Sequence, residues 1–102
     1  MYSLITGAAT SMAYKVKNSL KKENIILGDY AELPTTMLSK TMIQLPNPAS
    51  LSYAHEMLAL CLDKEIDHIF PLKEEEQSQL NSAKQLFVEY GISIMPASGH
   101  EL

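Results

Sequence analysis

The first twenty residues place the strongest constraint on the fold. Leu4, Ile5 and Thr6 form a short apolar run that is typical of a buried strand. Gly7 interrupts the run, small residues fill 8–11, and a helical pattern follows. A strand, a turn of small residues and a helix N-terminus together open a mononucleotide-binding βαβ unit. The unpaired N–H groups at such a helix start favour a phosphate or a carboxylate, although compact packing alone needs the same geometry.

Composition restricts the partners of the chain. Its 102 residues are the length of one domain, and its net charge of −4 disfavours nucleic-acid binding. All basic residues are lysines, so no arginine is present to clamp a phosphate through two parallel hydrogen bonds. The single cysteine, Cys61, excludes an intrachain disulfide and fits a reducing compartment. No apolar run approaches the roughly 20 residues of a membrane span. We therefore expect a cytoplasmic protein with neither a nucleic-acid nor a membrane partner.

Strand and helix patterns alternate along the whole chain. This alternation predicts an α/β fold, a Rossmann-like open parallel sheet of about five strands with helices on both faces. The predicted strands are 4–6, 24–30, 41–45, 67–72 and 92–95. The continuous apolar run of Ile25, Ile26 and Leu27 is expected of a strand that is covered on both sides. We place the first strand at the centre of the sheet, and the segment 31–40 lacks a helical pattern.

Three amphipathic helices are predicted from their apolar stripes. The first helix starts near Ser11, and its stripe is Met12, Ala13, Val16 and Leu20. The second covers 49–64, and its stripe is Leu51, Ala54, Leu58, Cys61 and Leu62, with Met57 at the border. The stripe of the third is Leu80, Ala83, Phe87 and Tyr90. Gly91 fits the position just after the third helix. Cys61 is expected in the core rather than as a nucleophile, and the histidines show no metal-ligand spacing with it. A polar tail over 96–102 ends the chain.

Asp29 lies near the spacing at which dinucleotide-binding folds place a ribose-binding acid. The glycine fingerprint that should precede this acid fails, however. Its second and third glycine positions hold Ala9 and Met12, and methionine is bulky where a helix must pack closely on a strand. An NAD(P) oxidoreductase domain is therefore a weaker alternative.

An acidic run follows the fourth predicted strand. Lys73 precedes Glu74, Glu75 and Glu76 at the start of the third helix. Carboxylates at this place stabilise a helix through its dipole, which is one explanation of the run. Open α/β sheets also bind ligands at the carboxyl ends of their strands, which is a second explanation. Both interpretations stay open on the sequence alone.

Several segments together resemble a known family. They are Leu4-Ile5-Thr6-Gly7-Ala8, Ala13-Tyr14, Ile26-Leu27-Gly28-Asp29, and Lys84, Phe87 and Gly91-Ile92. The most specific match is the segment 66–72 followed by Glu75 and Glu76. It is similar to the pattern IDxVIPxxxEE of carbamoyl-phosphate-synthetase-like and amino-acid-ligase-like proteins. The chain thus resembles, over nearly its whole length, the N-terminal domain of ATP-grasp ligases.

The resemblance implies that residues 1–102 form a single pre-ATP-grasp domain, expected to be a fragment of a longer enzyme. In the family, this domain packs against a central domain and an ATP-grasp domain, which supply the sites for ATP and Mg²⁺. The family reaction joins a carboxylate to an amine through an acyl phosphate and consumes ATP. The isolated chain is accordingly expected to bind no cofactor, to contain no catalytic residue and to be inactive.

The resemblance also assigns roles to residues in the substrate cleft. Backbone donors for the substrate are expected in the first turn, and Glu75 or Glu76 would meet a substrate amine or a neighbouring domain. The candidate substrate-binding residues are Gly7, Ala8, Ala9, Thr10, Asp29, Glu75 and Glu76. We expect the turns at 7–11 and 72–76 to converge on one rim of the sheet, because parallel strands end on the same side.

A second class of function is a stand-alone module that binds a small ligand or a nucleotide without catalysis. A homodimer is also possible in principle, because a face that normally packs against missing domains can drive self-association.

Overall fold

The computed structural model describes residues 2–8, 10–20 and 24–95, and within them it contains one five-stranded sheet. The strands are β1 (Tyr2–Ile5), β2 (Ile25–Asp29), β3 (Met42–Gln44), β4 (Ile66–Phe70) and β5 (Ser93–Ile94). Their order is β3-β2-β1-β4-β5, and every neighbouring pair is parallel. The predicted open parallel sheet with a central first strand is confirmed.

Four α-helices connect the strands. They are α1 (Ser11–Leu20), α2 (Tyr53–Asp63), α3 (Glu74–Ser82) and α4 (Lys84–Glu89). The connection from β2 to β3 contains only a short 3₁₀ helix at Thr35–Met37, as the missing helical pattern over 31–40 predicts. No helix among the described residues combines the length and the apolar character that crossing a bilayer requires.

The side chains of each strand alternate between the two faces of the sheet, and helices cover both faces. On one face, strand residues such as Leu4 and Ile69 form a core with residues of α2, α3 and α4. On the other face, Ile5 and Phe70 form a second core with residues of α1. The helical residues buried in these cores are Tyr53, Met57, Leu58, Cys61, Leu80 and Phe87 on the first face and Ala13 and Val16 on the second.

Three residues of the first two predicted helix stripes are exposed instead of buried. Met12 is 40% exposed in α1, Leu62 is 49% exposed in α2, and Leu51 lies outside α2 and is fully exposed. The helix α2 begins at Tyr53 instead of residue 49, and Met57 is fully buried rather than at the border.

The late start of α2 has a local cause. The Asn47 carboxamide oxygen accepts the N–H of Ala49, and the Asn47 carbonyl accepts that of Ser50, which closes a turn where the helix was expected. The hydroxyls of Ser50 and Ser52 then each donate to the Glu56 carboxylate at 2.7 Å, so polar groups hold this entry to the helix.

The third predicted helix is divided in two. The N–H of Ala83 bonds the carbonyl of Leu80, three residues back, and this tight turn ends α3 before α4 begins. The predicted Tyr90 is 55% exposed instead of buried. Gly91 is confirmed as the residue that follows the helix. It has φ +77°, and the N–H of Ile92 bonds the carbonyl of Phe87, a Schellman ending of α4.

Candidate functional site

The helices that follow β1 and β4 lie on opposite faces of the sheet. These strands are neighbours, but α1 follows β1 on one face of the sheet, whereas α3 follows β4 on the other. Such a point leaves a gap at the carboxyl ends of the two strands, which is where open α/β sheets bind ligands. We call this gap, bounded by residues 6–8 and 71–73, the crevice.

The two turns that border the crevice are in contact. The N–H of Leu72 donates to Thr6 Oγ1 at 2.9 Å, and the N–H of Thr6 donates to the carbonyl of Phe70 at 3.2 Å. A Cβ atom on Gly7 would lie 3.5 Å from the Cβ of Leu72 and 3.8 Å from the Cγ of Lys73. The expected convergence of the two turns on one rim is confirmed.

The backbone donors expected in the first turn are used within the fold. The N–H of Ala8 donates to the carbonyl of Gly28 at 2.9 Å, and the N–H of Thr10 donates to the carbonyl of Gly7 at 2.9 Å. Ala9 lies outside the described residues. The amides of the first turn of α1, which begins at Ser11, are those that an α-helix leaves without an intrahelical acceptor. The anion-attracting group of this rim is therefore the helix start rather than the N–H groups of Ala8 and Thr10.

Asp29 forms an ion pair instead of facing a ligand. Its side chain is fully buried, and its Oδ1 lies 2.8 Å from the Nζ of Lys73. The same oxygen accepts the N–H of Ala31 at 3.1 Å. The lysine also lies over the ring of Tyr30, 4.3 Å from its centroid. In this structure Asp29 is therefore engaged by groups of the chain itself, the Lys73 ammonium and the N–H of Ala31.

The pairing sets the charge of Lys73. Partial burial by itself lowers the pKa of Lys73, but the hydrogen bond and the negative charge of Asp29 outweigh this effect and raise the pKa above its ordinary value. Lys73 is therefore positively charged at neutral pH and neutralises Asp29.

The adjacent residues Glu75 and Glu76 lie in opposite environments. Glu75 is exposed, and its Oε2 accepts the hydroxyl of Tyr30 at 3.3 Å. Glu76 is fully buried, and its Oε2 accepts the hydroxyl of Tyr53 at 3.4 Å. Glu76 Oε1 accepts no hydrogen bond from the described part of the chain. Only Glu75 is therefore accessible to a ligand.

Burial dominates the titration of Glu76. It raises the pKa of this carboxyl to about 7, and the hydroxyls of Thr6 and Tyr53 offset only part of the rise. The negative charge of Asp29 raises the pKa further, while the Lys73 ammonium lowers it. Burial, followed by the Glu76 charge, raises the pKa of Tyr53 as well, so Tyr53 remains a hydrogen-bond donor.

A groove that the sequence did not predict opens beside Glu75. It has a volume of about 340 Å³ and lies between the end of β2, the turn before α2 and the exposed side of α3. Its lining residues are Tyr30, Asn47, Pro48, Ala49, Glu75, Ser78 and Gln79. The sequence did contain a signal for this groove. Tyr30 and Asn47 follow β2 and β3, and both therefore lie at the carboxyl edge of a parallel sheet.

Several chemically reactive side chains of the chain are buried or paired. No group of three or more His, Cys, Asp or Glu side chains that could hold a metal ion occurs among residues 2–8, 10–20 and 24–95. Asp29 is paired with Lys73, and Glu76 is buried. Cys61 is also buried, which raises its pKa to about 12 and keeps its thiol protonated.

Comparison with known protein families agrees with this geometry. A family model described as "PylC-like, N-terminal domain" matches residues 4–95, which include the second half of β1, all of β2 to β5 and both sides of the crevice. The chain belongs to this family. The PylC-like N-terminal domain is a pre-ATP-grasp domain of the ATP-grasp ligases, so the resemblance seen in the sequence is confirmed. No curated protein sequence matches the chain significantly.

Proposed function

We propose that this PylC-like domain forms one wall of the acceptor-substrate cleft in an ATP-dependent carboxylate–amine ligase and is not catalytic by itself. The observation that carries the proposal is the exposed Glu75 carboxylate, two residues after the segment 71–73 that borders the crevice, in a chain that belongs to a family of ligase domains. Glu75 lies beside a groove of small-ligand size and is held there by the hydroxyl of Tyr30.

The rim presents two complementary electrostatic elements. The first turn of α1 carries the partial positive charge of a helix N-terminus, which attracts a carboxylate. The carboxylate of Glu75 attracts an ammonium group. An amino-acid-like acceptor contains both of these groups. Asp29 acts indirectly, because it fixes the position of Lys73.

In this proposal, other domains supply the rest of the active site. A central domain and an ATP-grasp domain, in the same polypeptide or in partner chains, bind ATP and Mg²⁺ and supply the catalytic groups. This division of labour is supported by the absence of a three-residue metal-ligating cluster from the described residues. It also agrees with the pairing of Asp29 and the burial of Glu76. We place the assembled enzyme in the cytoplasm.

A steady-state comparison in the assembled ligase tests the proposal. Glu75→Gln should raise the KM for the acceptor amine and leave kcat almost unchanged, because the contact is made equally in the ground state and the transition state. We expect a rise of about tenfold, the effect of losing one charge-assisted contact of about 1.4 kcal/mol.

Glu74→Gln is the matched control, because Glu74 is an exposed carboxylate in the same turn of α3. It should leave both constants at their wild-type values. Equal KM values for Glu75→Gln and Glu74→Gln would remove Glu75 from the acceptor site.

A further inference from the structure

Glu76 lies where three elements of the fold meet. It belongs to the first turn of α3, it contacts Tyr53 of α2, and it lies near Thr6 at the end of β1. Its side chain has no exposed surface, and its Oε1 has no hydrogen-bond donor among the described residues. A buried carboxylate in such a position is costly, whereas a neutral carboxylic acid is much less so.

The charges around Glu76 do not balance if it ionises. Asp29 of β2 and Lys73 of the β4–α3 loop are the charged groups that act on it, and Tyr53 of α2 is the neighbouring titratable hydroxyl. Lys73 already neutralises Asp29 at 2.8 Å. An ionised Glu76 would therefore add a second negative charge to a buried cluster that contains one cation.

We propose that Glu76 is a proton-linked switch of the crevice. Its protonated carboxyl stabilises the closed crevice of this structure, and loss of the proton favours displacement of the start of α3 from β1. The proposal does not rest on the proposed ligase function.

The contacts around α3 explain why ionisation and displacement go together. Movement of the first turn of α3 away from β1 brings Glu76 to water. The hydrogen bond from the N–H of Leu72 to Thr6 Oγ1 joins the segment before α3 to β1 and must break in this movement. The same bond closes one side of the crevice, so opening it widens the candidate ligand site.

The direction of the pH effect follows from the pKa of Glu76. This pKa is about 7 in the closed form, and it returns toward its ordinary value of 4.5 when the side chain reaches water. The closed form thus binds the proton more tightly, and a bound proton stabilises it. The population of the open form rises between pH 4.5 and 7 and becomes constant above pH 7.

Amide hydrogen exchange at Leu72 tests the switch in the whole chain. After correction for the intrinsic pH dependence of exchange, the rate at Leu72 should rise on the order of 20-fold between pH 5.5 and pH 8. In Glu76→Gln, which carries no titratable carboxyl, the corrected rate should not change with pH. In Glu75→Gln, an exposed neighbour on the same turn, the rise should match that of the wild type.

A second measurement needs no variant and therefore holds if Glu76→Gln does not fold. The ¹³C shift of the Glu76 carboxyl, followed by NMR in the wild-type chain, should titrate with a midpoint near pH 7. A midpoint near the ordinary value of 4.5, or equal pH dependence of Leu72 exchange in the wild type and Glu76→Gln, would overturn the proposal.

Discussion

At the scale of single residues, two adjacent glutamates that look equivalent in the sequence lie in different environments in the structure. Glu75 and Glu76 both match the acidic pair of the ligase pattern, yet one is exposed and the other fully buried. Adjacent helix positions point about 100° apart, so one of them faces the sheet while the other faces solvent. The apolar stripe of this helix was a signal for which of the two is buried, because Glu76 lies four residues before the buried Leu80 and therefore on the same helix face.

Loss of the Lys73 cation should destabilise the fold. Lys73→Met leaves the buried Asp29 without its ammonium partner, and breaking a buried pair costs about 3 kcal/mol. Urea unfolding measures this change in the free energy of unfolding. Lys64→Met is the control, because Lys64 and Asp63 form an exposed pair whose loss costs less than about 1 kcal/mol. Similar losses in the two variants would mean that the Asp29–Lys73 pair stabilises no more than a surface pair.

Glu76 should make the stability of the chain depend on pH. The pKa of about 7 in the fold lies above the ordinary 4.5, so the native state binds the extra proton and stability falls as pH rises from 4.5 to 7. The loss is on the order of 3 kcal/mol for a shift of this size. About 2 kcal/mol of this loss falls between pH 5.5 and pH 8, and urea unfolding at these two pH values measures it. The decline should be clearly smaller in Glu76→Gln, and parallel declines in the two proteins would contradict the role of Glu76.

At the scale of elements, the strands were predictable and the helix limits were not. Apolar runs bounded by glycine or proline, such as Ile25 to Leu27 before Gly28, mark the strands. The prediction that Gly91 follows the C-terminal end of a helix was also correct. The start of α2 was wrong because the turn built on Asn47 replaces the first helical turn, so Leu51 projects into solvent. The break at Ala83 has no sequence signal, since alanine favours helix.

The crossover from β2 to β3 depends on Gly28. This connection has no α-helix, and the side chain of Leu45 fills the space above Gly28, where a Cβ atom would lie 2.8 Å from Leu45 Cγ. Gly28→Ala should therefore overpack the strand and lower the free energy of unfolding by about 1–3 kcal/mol. In a Leu45→Ala background, the cost of Gly28→Ala should fall markedly. An equal cost in both backgrounds would show that Leu45 is not what excludes a side chain at position 28.

At the scale of the whole molecule, the ligand-binding edge follows from topology. Alternating strands and helices predict the parallel sheet, and the sheet order places the crevice between β1 and β4. The sequence therefore located the rim correctly. It did not reveal the Asp29–Lys73 pair or the groove beside Tyr30, because both depend on contacts between distant segments.

The most direct test of the account is an assay of ATP turnover by the purified chain. With Mg²⁺, ATP and a mixture of amino acids, the chain alone should release no phosphate above the rate of uncatalysed hydrolysis, because the proposal assigns ATP and Mg²⁺ to other domains. Addition of the ATP-grasp region of the ligase should produce amine-dependent phosphate release. Sustained release by the chain alone that is lost in Glu75→Gln would contradict the proposal that this domain is a substrate-binding wall without its own catalytic machinery.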